Sequence, residues 1–303
     1  MACSTVGIVH AATPTPLLPD GTLDKNSVPK LAKHWVGLGL DGVMVLGTMG
    51  EGRYLTDSDR DAMVSLSLNH AGDDLTVFAT VADLSVSRMI ERAKRYASLG
   101  AAMVVVCVPP GASPKEAVAA ARAVADASPV PVAYYEIPGN TGVNLVLEEM
   151  LEILTHPNIV TMKDSSGNSL IGQALASEQY KPANMKLLIG NEYAVVNSFQ
   201  MGYDGVLHGG GALTGKHVRQ IWETAKSGDF QKASQMDREN SICLGRIYNR
   251  FSRPLENVLG QKYALHLLGA MDYAVDVDGK QLSDSAKERV KKAVDDHRSW
   301  LEV

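Results

Sequence analysis

One short pattern occurs three times along the chain, as LGLDGV at residues 38–43, LGAAMV at 99–104 and MGYDGV at 201–206. In each copy a glycine follows an apolar residue, and an apolar run begins a few positions later. Glycine readily takes the left-handed conformation that ends many helices. The pattern therefore predicts a helix that ends at glycine, a tight turn and then a buried strand.

Apolar runs bounded by glycine, proline or aspartate predict eight strands. Their bounds are Val6–Ala12, Gly42–Gly47, Thr76–Val81, Met103–Val108, Val130–Ile137, Ile159–Lys163, Lys186–Gly190 and Gly205–His208. Several of these runs are apolar at nearly every position, which is typical of parallel strands covered on both faces. Helical periodicity fills the intervals, for example over Asn26–Gly39.

Eight strand–helix units with right-handed crossovers close into an α/β fold of the (β/α)8 TIM-barrel type. A doubly wound open sheet is the alternative. After Gly228 three helices are predicted with no strand between them, over Asp229–Asn249, Pro254–Leu268 and Ser283–Leu301. We therefore expect a barrel over residues 1–228 and a C-terminal three-helix extension over residues 229–303 that packs on it.

Composition narrows the class of protein. The 303 residues are 45% hydrophobic and 21% charged, which excludes intrinsic disorder. A net charge of −5 without a dense Lys/Arg cluster argues against nucleic acid as a partner. The sequence contains no run of 18 apolar residues, so no membrane span is predicted. The segment Met1–Val9 lacks the pattern of a secretory signal. The three distant cysteines, Cys3, Cys107 and Cys243, suit a reducing compartment, so we expect a cytoplasmic enzyme.

Lys163 closes a predicted strand in the segment VTMKDSSG, residues 160–167. Active sites of TIM barrels lie at the carboxyl ends of the strands. An apolar setting there lowers the pKa of an ammonium group and creates an amine that can form a Schiff base with a carbonyl substrate. From position alone, a lysine that extends to solvent or pairs with Asp164 is an equally good interpretation.

Tyr135 lies near the end of another predicted strand, in the segment AYYEIP, residues 133–138. Strand alternation puts Tyr135 on one face and Tyr134 with Glu136 on the other. A phenol at a strand end can move protons to and from a reacting group. For a single tyrosine, a core aromatic side chain with a hydrogen-bonded hydroxyl is the more common explanation.

The turn GTMGE, residues 47–51, directly follows the second predicted strand. Its glycines expose successive backbone N–H groups beside one hydroxyl, an arrangement suited to a carboxylate. It lacks the spacing and the lysine of a P-loop. The eight histidines show no zinc-binding spacing and no CxxC occurs, so no metal ion is expected. Gly209–Gly211 after His208 favour close packing over a phosphate site.

Together, in this order, the three segments resemble motifs of the dihydrodipicolinate synthase / N-acetylneuraminate lyase family of pyruvate-type class I aldolases. The likeness extends from Thr13-Pro14 to the C-terminal helices, and it includes Tyr135 with Pro138 and Thr141-Gly142. The resemblance implies a homo-oligomer, a dimer or a tetramer. It also implies a 2-oxo acid such as pyruvate and an aldehyde as substrates, with no cofactor.

The same resemblance implies a role for each site residue. Lys163, Tyr135 and Thr48 form the catalytic set: the lysine forms the Schiff base and the tyrosine moves protons. Thr48 and the backbone N–H of Met49 bind the carboxylate of the 2-oxo acid. The remaining substrate-binding positions are Asn140, Ser165, Gly190, Glu192 and the backbone carbonyl of Leu207.

Three positions depart from dihydrodipicolinate synthase. The turn Pro109-Pro110-Gly111 lacks that enzyme's relay tyrosine, Asn140 replaces a carboxylate-binding arginine, and Met49 replaces a threonine. The segments around Asn140 and Lys163 look more like 4-hydroxy-2-oxoglutarate and 2-keto-3-deoxy acid aldolases. We therefore expect a lyase that cleaves a 4-hydroxy-2-oxo acid. The synthase, a dehydratase and a non-catalytic 2-oxo acid-binding barrel are alternatives, and Glu136 has no explanation from the sequence.

Overall fold

A computed structural model describes residues 6–248 and 254–303, so Cys3 and Asn249 lie outside the described residues. The strands are β1 (Val9–Ala12), β2 (Gly42–Val45), β3 (Thr76–Thr80), β4 (Met103–Val106), β5 (Val132–Glu136), β6 (Ile159–Asp164), β7 (Lys186–Ile189) and β8 (Gly205–His208). Each strand pairs in parallel with the next, and β8 pairs with β1. This closed sheet confirms the predicted α/β TIM barrel, and the open-sheet alternative is wrong.

Helices surround the barrel and extend beyond it. Their bounds are α1 (Ser27–Gly37), α2 (Asp57–Ala71), α3 (Val86–Leu99), α4 (Pro114–Ala127), α5 (Pro138–Thr141), α6 (Leu147–Leu154), α7 (Ser169–Ala176), α8 (Val195–Met201), α9 (Gly211–Lys226), α10 (Phe230–Tyr248), α11 (Pro254–Leu267), α12 (Asp284–Asp296) and α13 (Arg298–Leu301). The predicted single helix over Ser283–Leu301 is wrong in one respect. It divides because His297, at φ −126° and ψ 21°, leaves the helical conformation.

The repeated glycine pattern behaves as predicted. Gly39, Gly100 and Gly202 follow α1, α3 and α8 with positive φ angles of 66°, 101° and 92°. A side chain with a Cβ rarely adopts this conformation, so glycine ends each helix and lets the chain turn into the next strand.

Several predicted strands were too long. Val6 precedes the first paired residue of β1, yet it is buried in the barrel interior with Ala12 and Met44. Val130 and Ile137 likewise flank β5 without belonging to it. Apolar residues continue beyond the hydrogen-bonded ladder because they cover the ends of the barrel, so hydrophobicity alone overestimated the strand lengths.

The C-terminal helices are tied to the barrel mouth by a buried ion pair. Lys262 of α11 pairs with Glu51, which follows β2, and both side chains are fully buried. Glu51 also accepts a hydrogen bond from the backbone N–H of Val277, at 3.0 Å. A division into units at residue 228 stays a prediction. Within the described residues, no helix is long and apolar enough to cross a membrane.

Candidate active site

Lys163 lies at the carboxyl end of β6, buried beneath the barrel mouth. Lys163 is only 4% exposed, and the residue opposite it on the neighbouring strand β5 is Tyr135. The Lys163 Nζ atom lies 4.1 Å from the centroid of the Tyr135 ring. Among the described residues, no carboxylate oxygen lies within 4.0 Å of this Nζ. Burial lowers the pKa of Lys163 to about 7, and the charge of Glu192 opposes this effect. The amine is therefore neutral in a large fraction of molecules at neutral pH.

Tyr135 supplies a buried hydroxyl beside this amine. The hydroxyl interacts with the side chains of Ser165 and Thr48, which come from the loops after β6 and β2. Burial raises the pKa of Tyr135 far above neutrality, so the phenol carries its proton. Tyr135 belongs to the cluster inside the barrel and Tyr134 to the layer between strands and helices. The predicted alternation along β5 is confirmed.

The turn after β2 is held in a strained conformation. Leu46 and Glu51, at its two ends, have positive φ angles of 62° and 52°, which side chains with a Cβ adopt at a cost of about 1–3 kcal/mol. The buried pairing of Glu51 with Lys262 holds one end in place. Gly52 is required next, because a Cβ there would lie 2.0 Å from the carbonyl oxygen of Leu46.

Thr48 is exposed at the top of this turn, and Met49 beside it is half-buried. Asn140 of α5 donates a hydrogen bond from Nδ2 to Thr48 Oγ1, at 3.1 Å. The structure thus joins two predicted substrate-binding residues from separate loops. The Thr48 hydroxyl is held between the Asn140 amide and the Tyr135 phenol, so its orientation is fixed relative to the buried amine.

A glycine makes room for Ser165. A Cβ on Gly190 would lie 2.0 Å from Ser165 Oγ, so only glycine fits after β7 when the serine hydroxyl occupies this place. The backbone N–H of Gly190 donates to the Asp164 carbonyl at 2.6 Å. The close approach of the β6 and β7 ends therefore positions the Ser165 hydroxyl towards Tyr135.

Glu192 lies on the β7–β8 side of Lys163. It accepts a hydrogen bond from the backbone N–H of Gly210 at 2.7 Å, and its Oε2 atom lies 3.7 Å from His208 Nδ1. It also interacts with the hydroxyl of Tyr248. Its charge acts on Lys163. Leu207 of β8 is buried in the same interior cluster as Tyr135.

Glu136 and Asp164 form a second layer that sequence reasoning missed. These two buried residues are register partners one position beyond Tyr135 and Lys163. Glu136 accepts a hydrogen bond from the Tyr134 hydroxyl, and Asp164 accepts one from the Tyr203 hydroxyl at 2.6 Å. Burial raises the pKa of Glu136 to about 7. The unexplained glutamate is thus a hydrogen-bond partner behind the strand pair that carries the lysine and the tyrosine.

A cavity of about 310 Å³ opens above these groups, and Thr48, Tyr135 and Asn140 line it. The Lys163 Nζ atom lies against the Tyr135 ring, which lines the cavity, but Lys163 itself is not part of the wall. Met49, Ser165, Gly190, Glu192 and Leu207 are not part of it either. Arg53 and Cys107 line it as well, although sequence reasoning did not select them. Among the described residues, no group of three or more His, Cys, Asp or Glu side chains could hold a metal ion.

Residues 5–296 match the dihydrodipicolinate synthetase family. The chain belongs to this family. The 4-hydroxy-tetrahydrodipicolinate synthase of Stenotrophomonas maltophilia (strain R551-3) is 32% identical over 236 residues, which cover 77% of this chain and 78% of the relative. The enzyme of the same name from Mycolicibacterium gilvum (strain PYR-GCK) is 30% identical over 270 residues, which cover 88% and 86% of the two chains.

Solved structures of the dihydrodipicolinate synthetase family share the fold. Dihydrodipicolinate synthase from Bacteroides thetaiotaomicron superposes with a TM-score of 0.87 at 25% identity, covering 95% of this chain and 98% of that one. The chloride-inhibited enzyme from Acinetobacter baumannii, complexed with pyruvate, gives a TM-score of 0.86 at 24% identity and covers 96% and 98%. Family members are enzymes of the class I aldolase type, and the barrel seen here is their scaffold.

Proposed function

We propose that the chain is a class I aldolase that cleaves a 4-hydroxy-2-oxo (2-keto-3-deoxy) acid to pyruvate, or a similar 2-oxo acid, and an aldehyde. Lys163 forms the Schiff base. The observation that carries this proposal is the buried Nζ atom, which has a pKa near neutrality and lies 4.1 Å from the Tyr135 ring. A neutral amine in a dry site beside a proton donor is the arrangement that attack on a ketone needs.

The proposed reaction begins when the neutral Nζ attacks C2 of the substrate. Loss of water from the carbinolamine gives a protonated iminium. Deprotonation of the C4 hydroxyl then breaks the C3–C4 bond, releases the aldehyde and leaves the bonding electrons on the nitrogen as an enamine. Protonation at C3 and hydrolysis by water release pyruvate and restore the amine. Nothing is oxidised or reduced overall.

Tyr135 is the proposed carrier of these protons. Its phenol is protonated at neutral pH and interacts with the hydroxyls of Thr48 and Ser165, so a proton can pass along this short chain. Thr48 and the backbone N–H of Met49 bind the 2-oxo carboxylate, with Asn140 holding the Thr48 hydroxyl in place. The distal hydroxyl groups of the substrate are bound by Ser165, Gly190 and Glu192. We place the backbone carbonyl of Leu207 next to the reacting amine.

The alternative is the activity named in the relatives, 4-hydroxy-tetrahydrodipicolinate synthase. Their names favour it, and the first steps on Lys163 would be the same. Three departures argue against it. This chain has Asn140 in place of the expected arginine, Met49 in place of the expected threonine, and no tyrosine in the turn Pro109-Pro110-Gly111. Two further alternatives are a dehydratase that acts through the same iminium and a non-catalytic binder of 2-oxo acids. Neither of them would release or consume an aldehyde.

Borohydride reduction in the presence of pyruvate tests the proposal. The wild-type chain should gain a stable adduct on Lys163, and Lys163→Met should gain none. Lys186→Met is the matched control, because Lys186 begins the neighbouring strand β7 at the opposite end of the barrel. The absence of an adduct in the wild-type chain would leave the non-catalytic binder as the better explanation.

A substrate screen separates the enzyme classes. Pyruvate release from 2-keto-3-deoxy acids supports the aldolase, while condensation of pyruvate with aspartate semialdehyde supports the synthase. Asn140→Arg sharpens the result: if the wild-type chain does not condense the semialdehyde and the variant does, then Asn140 explains the difference. Rapid condensation by the wild-type chain would contradict the proposed substrate class.

A further inference from the structure

Arg53 places a guanidinium group at the cavity that contains Tyr135 and Thr48. It lies in a short 3-10 helix, Gly52–Tyr54, directly after Glu51. The buried pairing of Glu51 with Lys262 fixes this part of the chain, so the backbone that carries Arg53 is held rigidly at the cavity rim. The residue itself is exposed, which leaves its guanidinium open to a ligand.

Among residues 6–248 and 257–303, this guanidinium has no carboxylate partner. No Asp or Glu oxygen of these residues lies within 4.0 Å of it, whereas Arg92 and Arg95 on α3 are each paired with an aspartate. The polar neighbour of Arg53 is Cys107, whose Sγ atom lies 3.8 Å from Nη2. Burial raises the pKa of this thiol to about 11, so it carries no negative charge to balance the arginine.

A second group in the wall is also without a partner. Thr80 lines the cavity and is only 2% exposed, yet its Oγ1 atom has no hydrogen-bond partner in the described structure. A buried hydroxyl is normally hydrogen-bonded, so the wall near Arg53 contains a polar group that the described residues do not satisfy. Cys107 connects this part of the wall to the reactive site, since it contacts Arg53 and belongs to the interior cluster that includes Tyr135.

We propose that Arg53 binds an acidic group, a carboxylate or a phosphate, at the end of the substrate away from the Schiff base. This inference rests on the proposed aldolase function and specifies its substrate class as 4-hydroxy-2-oxo acids that carry a second anion. Guanidinium groups bind carboxylate and phosphate through paired N–H donors, and an unpaired one needs no existing ion pair to be broken first. Arg53 is thus a specificity-determining residue.

The test compares three substrates of similar length, ending in a carboxylate, in a phosphate or in a neutral hydroxymethyl group. Arg53→Met should lower kcat/KM for the preferred anionic substrate by about 10- to 100-fold, the effect of losing a charged hydrogen bond. The neutral substrate should change far less, and Arg53→Lys should be intermediate. The larger of the two anionic losses identifies the natural group. Arg95→Met, which removes an exposed arginine away from the cavity, is the matched control.

Three results would overturn the inference. One is an equal loss of kcat/KM for charged and neutral substrates. Another is a wild-type preference for the neutral substrate. A third is weaker borohydride trapping of pyruvate itself in Arg53→Met, because the arginine would then bind the 2-oxo carboxylate. A wild-type chain that gives no pyruvate adduct at all would refute the proposed function as well, so the two failures are distinguishable.

Discussion

Two lysines are buried in the part of the chain that the structure describes, and they differ in one respect that decides their chemistry. Lys163 at the end of β6 has no carboxylate within ion-pair distance in the described chain. Lys262 of α11 is paired with Glu51 and also donates a hydrogen bond to the Val275 carbonyl at 2.7 Å. Burial lowers the pKa of both lysines, but Glu51 opposes the effect at Lys262.

The comparison shows that burial alone does not make a nucleophile. A carboxylate partner favours the protonated form of a buried amine, whereas burial without such a partner favours the neutral form. The two sites are connected, because the Glu51 side chain that pairs with Lys262 also ends the turn that carries Thr48. The structural lysine thus supports the binding loop of the proposed catalytic one.

Replacing Lys163 gives the largest expected effect. Lys163→Met should reduce kcat by more than about 10³-fold, the scale on which removal of a nucleophile acts. It should also stabilise the fold, since a buried amine that must stay unpaired is costly. Below pH 7 wild-type Lys163 is protonated in both the folded and the unfolded chain, so the full free-energy cost of burying its charge applies. Between pH 7 and the ordinary lysine pKa this cost falls as the pH rises, because the folded chain holds the neutral amine.

The Tm of Lys163→Met should therefore exceed that of the wild-type chain by more at pH 6 than at pH 9. Thermal unfolding at the two pH values measures this. If Lys163→Met is less stable than the wild-type chain at pH 6, then Lys163 contributes a favourable interaction. That result would contradict the claim that the unpaired buried amine destabilises the fold.

Removing the phenol beside Lys163 comes next. Tyr135→Phe should lower kcat by about 10²–10⁴-fold, because proton transfer at the carbinolamine and at the C4 hydroxyl is lost. Tyr134→Phe is the control: it faces the helices and removes the hydrogen bond to Glu136, so it should cost stability rather than proton transfer. Equal kinetic losses in the two variants would argue against a specific role for Tyr135.

Breaking the structural pair should affect stability first. Lys262→Met leaves the Glu51 carboxylate buried without its cation, which typically costs about 3–5 kcal/mol. Denaturant unfolding measures the loss, and the double variant with Glu51→Gln should recover part of it. If Lys262→Met is as stable as the wild-type chain, then the ion pair does not hold the turn, and the strain at Glu51 needs another explanation.

The smallest expected effect concerns the charge of Glu192 and its influence on the pKa of Lys163. Glu192 raises the pKa of Lys163, so Glu192→Gln should lower that pKa further. The pH midpoint of pyruvate trapping should move to a lower pH. Glu178→Gln, which removes an exposed carboxylate, should leave the midpoint in place. An upward shift in Glu192→Gln would reverse the assigned sign of the interaction.

Much of the fold could be predicted because strands and helices leave periodic apolar patterns. The glycine turns at Gly39, Gly100 and Gly202 and all eight strands were identified in this way. The strand ends at Val6 and Ile137 were not, because residues that cover the barrel are as apolar as residues in the ladder. The break at His297 leaves no composition signal.

The site was predicted less completely. Each of Lys163, Tyr135 and Thr48 lies at or just after the end of a strand, where active sites of TIM barrels are found. Each could be predicted from a single short segment of the sequence. Arg53 and the Glu51–Lys262 pair were missed because their roles depend on which distant side chains meet. Lys262 lies 211 positions from Glu51, and nothing in the helix around it distinguishes a buried lysine from a solvated one.

The most direct test of the central claim is the pH dependence of borohydride trapping with pyruvate, followed by mapping of the modified peptide. We predict an adduct on Lys163 alone, with a rate that rises as the pH increases through about 7. An adduct on another lysine, or a midpoint close to the ordinary lysine pKa, would contradict it.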